Sequence, residues 1–405
     1  MSKKTIKDIQ IEDKTILVRV DFNVPLKDGQ ISDDNRIVAA IPTIKYLLDN
    51  NAKVVLCSHL GKIKNEEDKE KNNLKVVVPR LSELLGVEVK FSNEVVGEST
   101  SNLIKGLKRG EVLLLQNTRF EPGESKNDPD LASKLSEGID VFVNDAFGSS
   151  HRKHASTYGV VEVLKGEGKE SAIGFLVEKE VKALNRCVEA KIKPFIAVLG
   201  GAKVSDKIKV IDGLLEKADK LIIGGAMSYT FLKALGYEIG KSRVEEDQIE
   251  YAKNCLDKAK GKIILPIDHI IADDFQNPTK INVSMDQNIN EEYLGVDIGP
   301  RTINYFKEEL NGSKMVFWNG PMGVFEVDNF ANGTKEIAKA IGSLENAFSV
   351  IGGGDSAAAS KKFGFSELFS HISTGGGASL EMIENDGHLP GIDIIKDKQG
   401  EHNED

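Results

Sequence analysis

Side chains able to grip or position an anion recur at one kind of place in the first half of the chain. Asp21 and Asn23 follow a β-branched run at 16–20, and His59 and Lys62 follow another at 53–57. Arg119 follows a run at 112–115, Arg152 follows one at 141–143, and Arg36 opens a helical pattern. If these runs are strands of one parallel sheet, their carboxyl ends share an edge and the side chains converge on a single crevice. Guanidinium groups hold phosphate or carboxylate through paired hydrogen bonds. One such arginine is more often half of a surface ion pair; several at equivalent strand ends point to an anion site.

The second half offers glycine where the first offers arginine. Gly200, Gly201, Ala202 and Lys203 follow one apolar run, Gly224 and Gly225 the next, Gly352, Gly353 and Gly354 a later one, and Gly375–Gly377 the last. Each group stands where a helical pattern begins, so bare amides and helix N-termini would face one edge and suit phosphates. Lys203 and Lys207, four residues apart, are expected on one face at a helix start, where phosphates would offset their conflict with the dipole. Asp355 directly follows three glycines. A carboxylate there repels phosphate unless a divalent cation lies between them, and Mg2+ bound with nucleotide commonly takes one or two protein carboxylates. An N-cap is the structural alternative for Asp355.

Two other patterns are rejected. Gly236, Gly240, Lys241 and Ser242 resemble a phosphate loop, but the spacer is one residue short and a helical pattern precedes it. Gly352, Gly354 and Ala357 fit a dinucleotide fingerprint, yet Asp355 sits inside the loop and no acidic residue ends the next run at 371–373, which argues against a dehydrogenase. His151 and His154 lack a third nearby ligand for a metal. Cys57, Cys187 and Cys255 are far apart and read as buried apolar residues.

The elements that would position these groups follow from periodicity. Continuous apolar runs at 16–20, 53–57, 87–91, 112–115 and 141–143, then at 195–199, 221–223, 263–265, 315–318, 348–351 and 371–373, suit strands covered on both faces. Helical spacings lie between them, as at Ile37, Ile41, Ile44, Leu47 and Leu48, with Pro42 expected to kink that helix. Alternation of strand and helix predicts an α/β protein with doubly wound, Rossmann-like parallel sheets. At 405 residues and 40% hydrophobic composition, the chain exceeds one core. Two domains facing across a cleft are expected: 1–174, a linker helix at 175–190 with Phe175, Val181, Leu184 and Val188 on one face, and 191–389. The formal charge of −10 argues against non-specific nucleic-acid binding. The chain lacks an apolar span of roughly eighteen residues and a leader-like start, so a cytoplasmic protein without a membrane partner is expected. The segment 64–71 reads as solvated, and the tail after Gln399 as frayed.

Six motifs carry a resemblance. VRVDFNVP at 18–25, SHLG at 58–61, LGGAKVSDK at 199–207, WNGPMGVFE at 318–326, GGGDS at 352–356 and STGGGASLE at 373–381 resemble phosphoglycerate kinases over nearly the whole length. The resemblance implies reversible, Mg-dependent phosphoryl transfer between 1,3-bisphosphoglycerate and ADP, giving ATP and 3-phosphoglycerate in glycolysis. It implies that Asp21, Phe22, Asn23, Arg36, His59, Leu60, Gly61, Lys62, Arg119 and Arg152 bind the phosphoglycerate. Lys203, Lys207, Gly225, Gly295, Asn319, Glu326, Gly352, Gly353, Gly354, Asp355 and Ser356 would bind nucleotide, with Glu326 on the ribose and Asp355 on Mg2+. Arg36, Lys207, Gly354 and Gly377 would serve the transfer itself. It further implies a monomer whose C-terminal segment, about 390–405, packs back on the first domain. Departures are Lys62 where the family often has arginine, Gln116 and Thr118 where Glu and Leu are usual, and Ser356 for a common threonine.

Overall fold

The computed structural model describes residues 2–398 of the 405. The tail expected to fray from Gln399 lies outside them. Backbone contacts divide the chain into two compact units: residues up to Lys182 together with those from His388 onward, and Ala183–Gly387.

In the first unit, a six-stranded sheet runs Val89–Phe91, Val112–Leu114, Lys53–Cys57, Thr15–Arg19, Val141–Asn144, Glu170–Ile173, with every pairing parallel. Thr15–Arg19 and Val141–Asn144 are buried throughout, as strands covered on both faces require. From Thr15–Arg19 the chain winds toward one edge, and from Val141–Asn144 toward the other. The winding therefore reverses between these two strands, which is where an open sheet leaves a crevice at its carboxyl ends. The helix Asn35–Asp49 runs unbroken through Pro42 and buries Ile37, Ile44, Leu47 and Leu48. Residues 388–398 complete this unit: the Gly391 N–H donates to the Ser150 carbonyl at 2.8 Å, and the Asn144 Nδ2 to the Gly391 carbonyl at 2.9 Å.

The division between units falls inside the helix Phe175–Glu189. Its first turn is clasped from within the first unit. Fully buried Asp145 accepts the Leu176 N–H at 3.0 Å, and the Thr43 hydroxyl accepts that of Phe175 at 2.9 Å. Val177, Glu180, Ala183, Leu184 and Cys187 are its buried positions; of the expected face only Leu184 is fully covered. The apolar pattern missed this stripe because Glu180 lies within it.

In the second unit, the parallel sheet runs Ile263–Ile264, Lys220–Ile223, Phe195–Leu199, Met315–Asn319, Phe348–Ile351, His371–Ile372. Numbered by sequence, this is the 3-2-1-4-5-6 order of dinucleotide-binding folds, and the winding reverses between Phe195–Leu199 and Met315–Asn319. The doubly wound α/β class expected from the sequence is thus met in both units. A three-stranded antiparallel sheet of His269–Ala272, Ile281–Val283 and Leu294–Ile298 was not anticipated. Its edge strand is exposed at all three positions, so it carries no buried apolar run to recognise. Buried Asp297 on Leu294–Ile298 accepts the Gly333 N–H at 2.7 Å, tying that sheet to the helix Asn332–Gly342.

Candidate functional site

The reversal point of the first sheet opens into a crevice of about 580 Å³ whose lining includes His59, Lys62, Arg119, Arg152, His151 and His154. Arg36, from the first turn of Asn35–Asp49, places its Nη1 3.0 Å from both carboxylate oxygens of Asp21. The Asp21 carboxylate accepts the Asn23 N–H at 3.1 Å, the Asn23 side-chain oxygen accepts the Gly61 N–H at 2.8 Å, and the Gly61 carbonyl accepts from Arg119 Nη1 at 2.6 Å. Asp21, Asn23, Arg36, Gly61 and Arg119 are therefore joined by one run of hydrogen bonds. The side chains of Phe22 and Leu60 lie in the apolar core, so only their backbone can serve the crevice.

Four residues that sequence reasoning missed hold this arrangement. Buried Asn117 accepts the Leu60 N–H at 3.1 Å and donates to the Leu60 carbonyl at 2.7 Å, clamping the loop that carries His59. Arg19, Ser156 and Glu124 form a buried polar chain behind His59. The available signal was a charged residue inside the apolar run 16–20, since a buried guanidinium demands partners. Burial, with Arg19, Arg119 and Arg36 close by, holds the His59 imidazole well below its usual range.

At the reversal point of the second sheet, a crevice of about 420 Å³ is lined by Gly201, Lys203, Lys207, Asn319, Gly353, Gly354, Asp355, Ser356, Gly376 and Gly377, with Asp206, Pro321 and Leu380 among the residues not foreseen. Lys207 Nζ donates to the Gly200 carbonyl at 2.6 Å, to the Asn319 carbonyl at 3.3 Å and to the Asn319 side-chain oxygen, so the amine bridges the two strands where the winding reverses. Loss of water around this amine pushes its pKa down to about 8, with Asp355 and Asp206 acting in the opposite sense. Lys207 is the N-cap of the helix Ile208–Lys217, so Lys203 lies in the preceding loop and does not share a helical face with it, contrary to expectation. The turn at 204–207 delays the helix.

Glycine is needed here for close approach. A side chain on Gly200 would run into the Pro321 carbonyl, and one on Gly320, whose φ is +98°, into the Gly200 carbonyl. Gly352 lies beneath the crevice, with its carbonyl accepting from Asn319 Nδ2. Gly225, Gly295 and Glu326 do not line it. Gly225 packs against the Gly201 backbone, and Gly295 sits in Leu294–Ile298, leaving room for the Tyr229 hydroxyl. Glu326 is exposed beyond Met315–Asn319.

Among the described residues no group of three His, Cys, Asp or Glu could cage a metal ion. Asp355 is exposed in the first turn of Gly354–Lys362, beside open space at Gly354, and makes no hydrogen bond or ion pair among the described residues. One solvent-facing carboxylate at a phosphate-sized crevice fits a magnesium ion that arrives with nucleotide.

Residues 6–386 match the family described as phosphoglycerate kinase. The chain belongs to the phosphoglycerate kinase family of enzymes. A phosphoglycerate kinase of Lactobacillus delbrueckii subsp. lactis is 52% identical over 405 residues, covering 98% of this chain and 100% of its own. One from Listeria monocytogenes serotype 4b is 53% identical over 402 residues, with the same coverage. Among solved structures, the phosphoglycerate kinase of Coxiella burnetii superimposes with a TM-score of 0.87 at 37% identity, covering 97% of this chain and 98% of its own. That of Pyrococcus horikoshii OT3 gives 0.82 at 36% identity and the same coverage. The family match includes both crevices, from Asp21 to Gly377. The six motifs that resembled phosphoglycerate kinases thus lie in a chain of that family.

Proposed function

We propose that the chain catalyses reversible, Mg-dependent phosphoryl transfer between 1,3-bisphosphoglycerate and ADP, giving 3-phosphoglycerate and ATP in glycolysis. The observation that carries this is the contrast between the two reversal points: a crevice of arginine and histidine in one unit, and in the other a glycine crevice with the Lys207 amine beside Asp355. In this reading the first unit binds the phosphoglycerate through Arg36, His59, Lys62, Arg119 and Arg152. The second binds nucleotide through Lys203, Lys207, Asn319, Ser356 and the amides of Gly353, Gly354 and Gly377, with Gly225, Gly295, Glu326 and Gly352 shaping its surroundings.

The chemistry asks for charge and position. In the ATP-consuming direction the acceptor is a carboxylate, already ionised at neutral pH, so no general base is required. A loose transition state spreads charge over equatorial oxygens, which Arg36, Lys207 and the glycine amides meet with donors. Mg2+ held by Asp355 would neutralise nucleotide phosphate charge. The attacking carboxylate oxygen must come within about 3 Å of the transferring phosphorus, in line with the leaving oxygen, so the two bound substrates must be brought together; the helix Phe175–Glu189, where the units divide, is the proposed hinge. The reading also takes the enzyme as a cytoplasmic monomer without nucleic-acid or membrane partners, in keeping with its charge of −10. No helix among the described residues is long and apolar enough to cross a membrane.

The test is turnover of ATP and 3-phosphoglycerate, coupled to reduction of the acyl phosphate, with Mg2+ and then with excess chelator. Mg-dependent turnover is expected. A folded protein that binds nucleotide yet turns nothing over would refute the assignment.

A further inference from the structure

The buried polar chain behind His59 has only one consistent arrangement of protons. Glu124 accepts the Ser156 N–H at 2.8 Å and, through its other oxygen, the Ser156 hydroxyl at 2.7 Å. The Ser156 hydroxyl proton is thereby committed, so its oxygen accepts from Arg19 Nε, 2.9 Å away. Arg19 Nη1 donates to the Val20 carbonyl, and Nη2 lies 2.9 Å from His59 Nδ1. A guanidinium has only donors, so His59 Nδ1 must present a lone pair. The ring proton is then on Nε2, and an imidazolium, which would carry a second N–H at Nδ1, is excluded. With Nδ1 occupied, Nε2–H is the polar group that His59 has left for the crevice it lines.

We propose that Arg19, oriented by Ser156 and Glu124, is the positioning residue for His59, fixing it as the neutral Nε2–H tautomer so that the crevice receives a non-titrating hydrogen-bond donor. The charge for anion binding then comes from arginine and lysine alone. The surroundings suit this assignment. The cations acting on the ring are Arg19, Arg119 and Arg36; the His154 imidazole, itself held below its ordinary value by burial, acts in the same sense when protonated. Of the nearby carboxylates, Asp21 is engaged by Arg36, and Glu124 by Ser156. A further positive charge at His59 would face those cations with no free carboxylate opposite it. Arg19 is 1% exposed, so it does not itself meet a ligand and acts through the histidine. The part of the argument that concerns phosphoglycerate rests on the function proposed above; the tautomer does not.

The first experiment reads the free full-length protein by long-range proton–nitrogen correlation with 15N-labelled histidine, the His59 resonances being assigned from a His59→Gln variant. Nδ1 is expected at the shift of an unprotonated ring nitrogen and Nε2 at that of a protonated one, unchanged between about pH 5.5 and 8. A proton on Nδ1, or a midpoint near the ordinary histidine value, would overturn the proposal. The second experiment is kinetic. Arg19→Gln should raise the KM for 3-phosphoglycerate by about tenfold at pH 8, leave the KM for ATP unchanged, and recover part of the loss at pH 6, where the released imidazole can charge. A loss of equal size at both pH values would mean that Arg19 acts only through packing. If Arg19→Gln does not fold, the wild-type spectrum still decides. If 3-phosphoglycerate is not a substrate, the kinetic arm fails while the tautomer is read independently.

Discussion

The two crevices occupy the same topological place, yet they are built from opposite materials. At the reversal point of the first sheet, the groups proposed to hold the anion are side chains: Arg36, Arg119 and Arg152 on separate elements, the first two aligned by Asp21, Asn23 and Asn117. At the reversal point of the second, the side chains have been withdrawn and backbone approaches backbone, with Gly200 and Gly320 against each other and Lys207 bridging the strands. A side-chain site is vulnerable to losing a group; a backbone site is vulnerable to gaining one. The difference suits a small acid that needs charge at several points and a polyphosphate that can lie along a row of amides.

The largest test of this contrast is at its exception, Lys207, the lysine whose amine bridges the two central strands of the glycine site. Lys207→Ala should lower kcat by about 10³-fold while the KM for 3-phosphoglycerate stays near wild type. In the free enzyme the amine is charged below its pKa of about 8 and neutral above it, so kcat/KM for ATP should fall as pH rises through about 8. Lys207→Arg should remove that limb. A flat profile would mean that the amine is not the group at work.

Next in size is the addition of a single methyl group. Gly320→Ala should destabilise the second unit by about 2–4 kcal/mol, read by denaturant titration, and weaken nucleotide binding, because the methyl meets the Gly200 carbonyl at a positive φ. An unchanged transition would show that the two loops separate readily.

Removing charge from the other crevice should have the mirror effect. Arg119→Ala should raise the KM for 3-phosphoglycerate by roughly 10- to 100-fold and leave that for ATP alone. Lys62, exposed at the rim, should matter less: Lys62→Ala costs about two- to fivefold in the same KM, and Lys62→Arg recovers or exceeds wild type because a planar fork replaces a point charge. Equal losses at Lys62 and Arg119 would break the ranking by burial.

The last test, read as stability against pH, concerns what the units share. Each holds a buried aspartate that accepts the amide of a helix start: Asp145 for Phe175–Glu189 and Asp297 for Asn332–Gly342. Burial pushes each carboxyl up to about 7 despite those amides. With the folded value above the unfolded one, their contribution to stability is fully present below about pH 4 and is lost as pH rises toward 7, at no more than about 1.4 kcal/mol per unit for each group. Asp145→Asn should flatten that slope. A steeper slope would mean that the carboxyl is ionised at acid pH.

Much of this was legible beforehand. Fully buried parallel strands such as Phe195–Leu199 are continuous in apolar residues and are followed by glycine or polar turns, so every strand of the two parallel sheets except Glu170–Ile173, and the place of both crevices, could be read. What escaped depended on contacts distant in sequence. Glu180 and Arg19 are buried charges that an apolar pattern discounts, and the edge strand Ile281–Val283 buries nothing. Spacing alone puts Lys203 on one helical face with Lys207, because it does not reveal the turn at 204–207. Asn117 drew no reading of its own from the sequence, although its side chain clamps a loop near residue 60.

The second unit is one uninterrupted stretch of chain, whereas the first is closed only by residues 388–398. On the ribosome this reverses the order that sequence position suggests. All of Ala183–Gly387 is available to fold while the first-made unit still lacks the strip carrying Gly391, on which Asn144 and Ser150 depend. A released chain truncated near 387 therefore holds every strand of the second parallel sheet joined to an unfinished partner, and the arginine crevice is the last part of the molecule to be made secure.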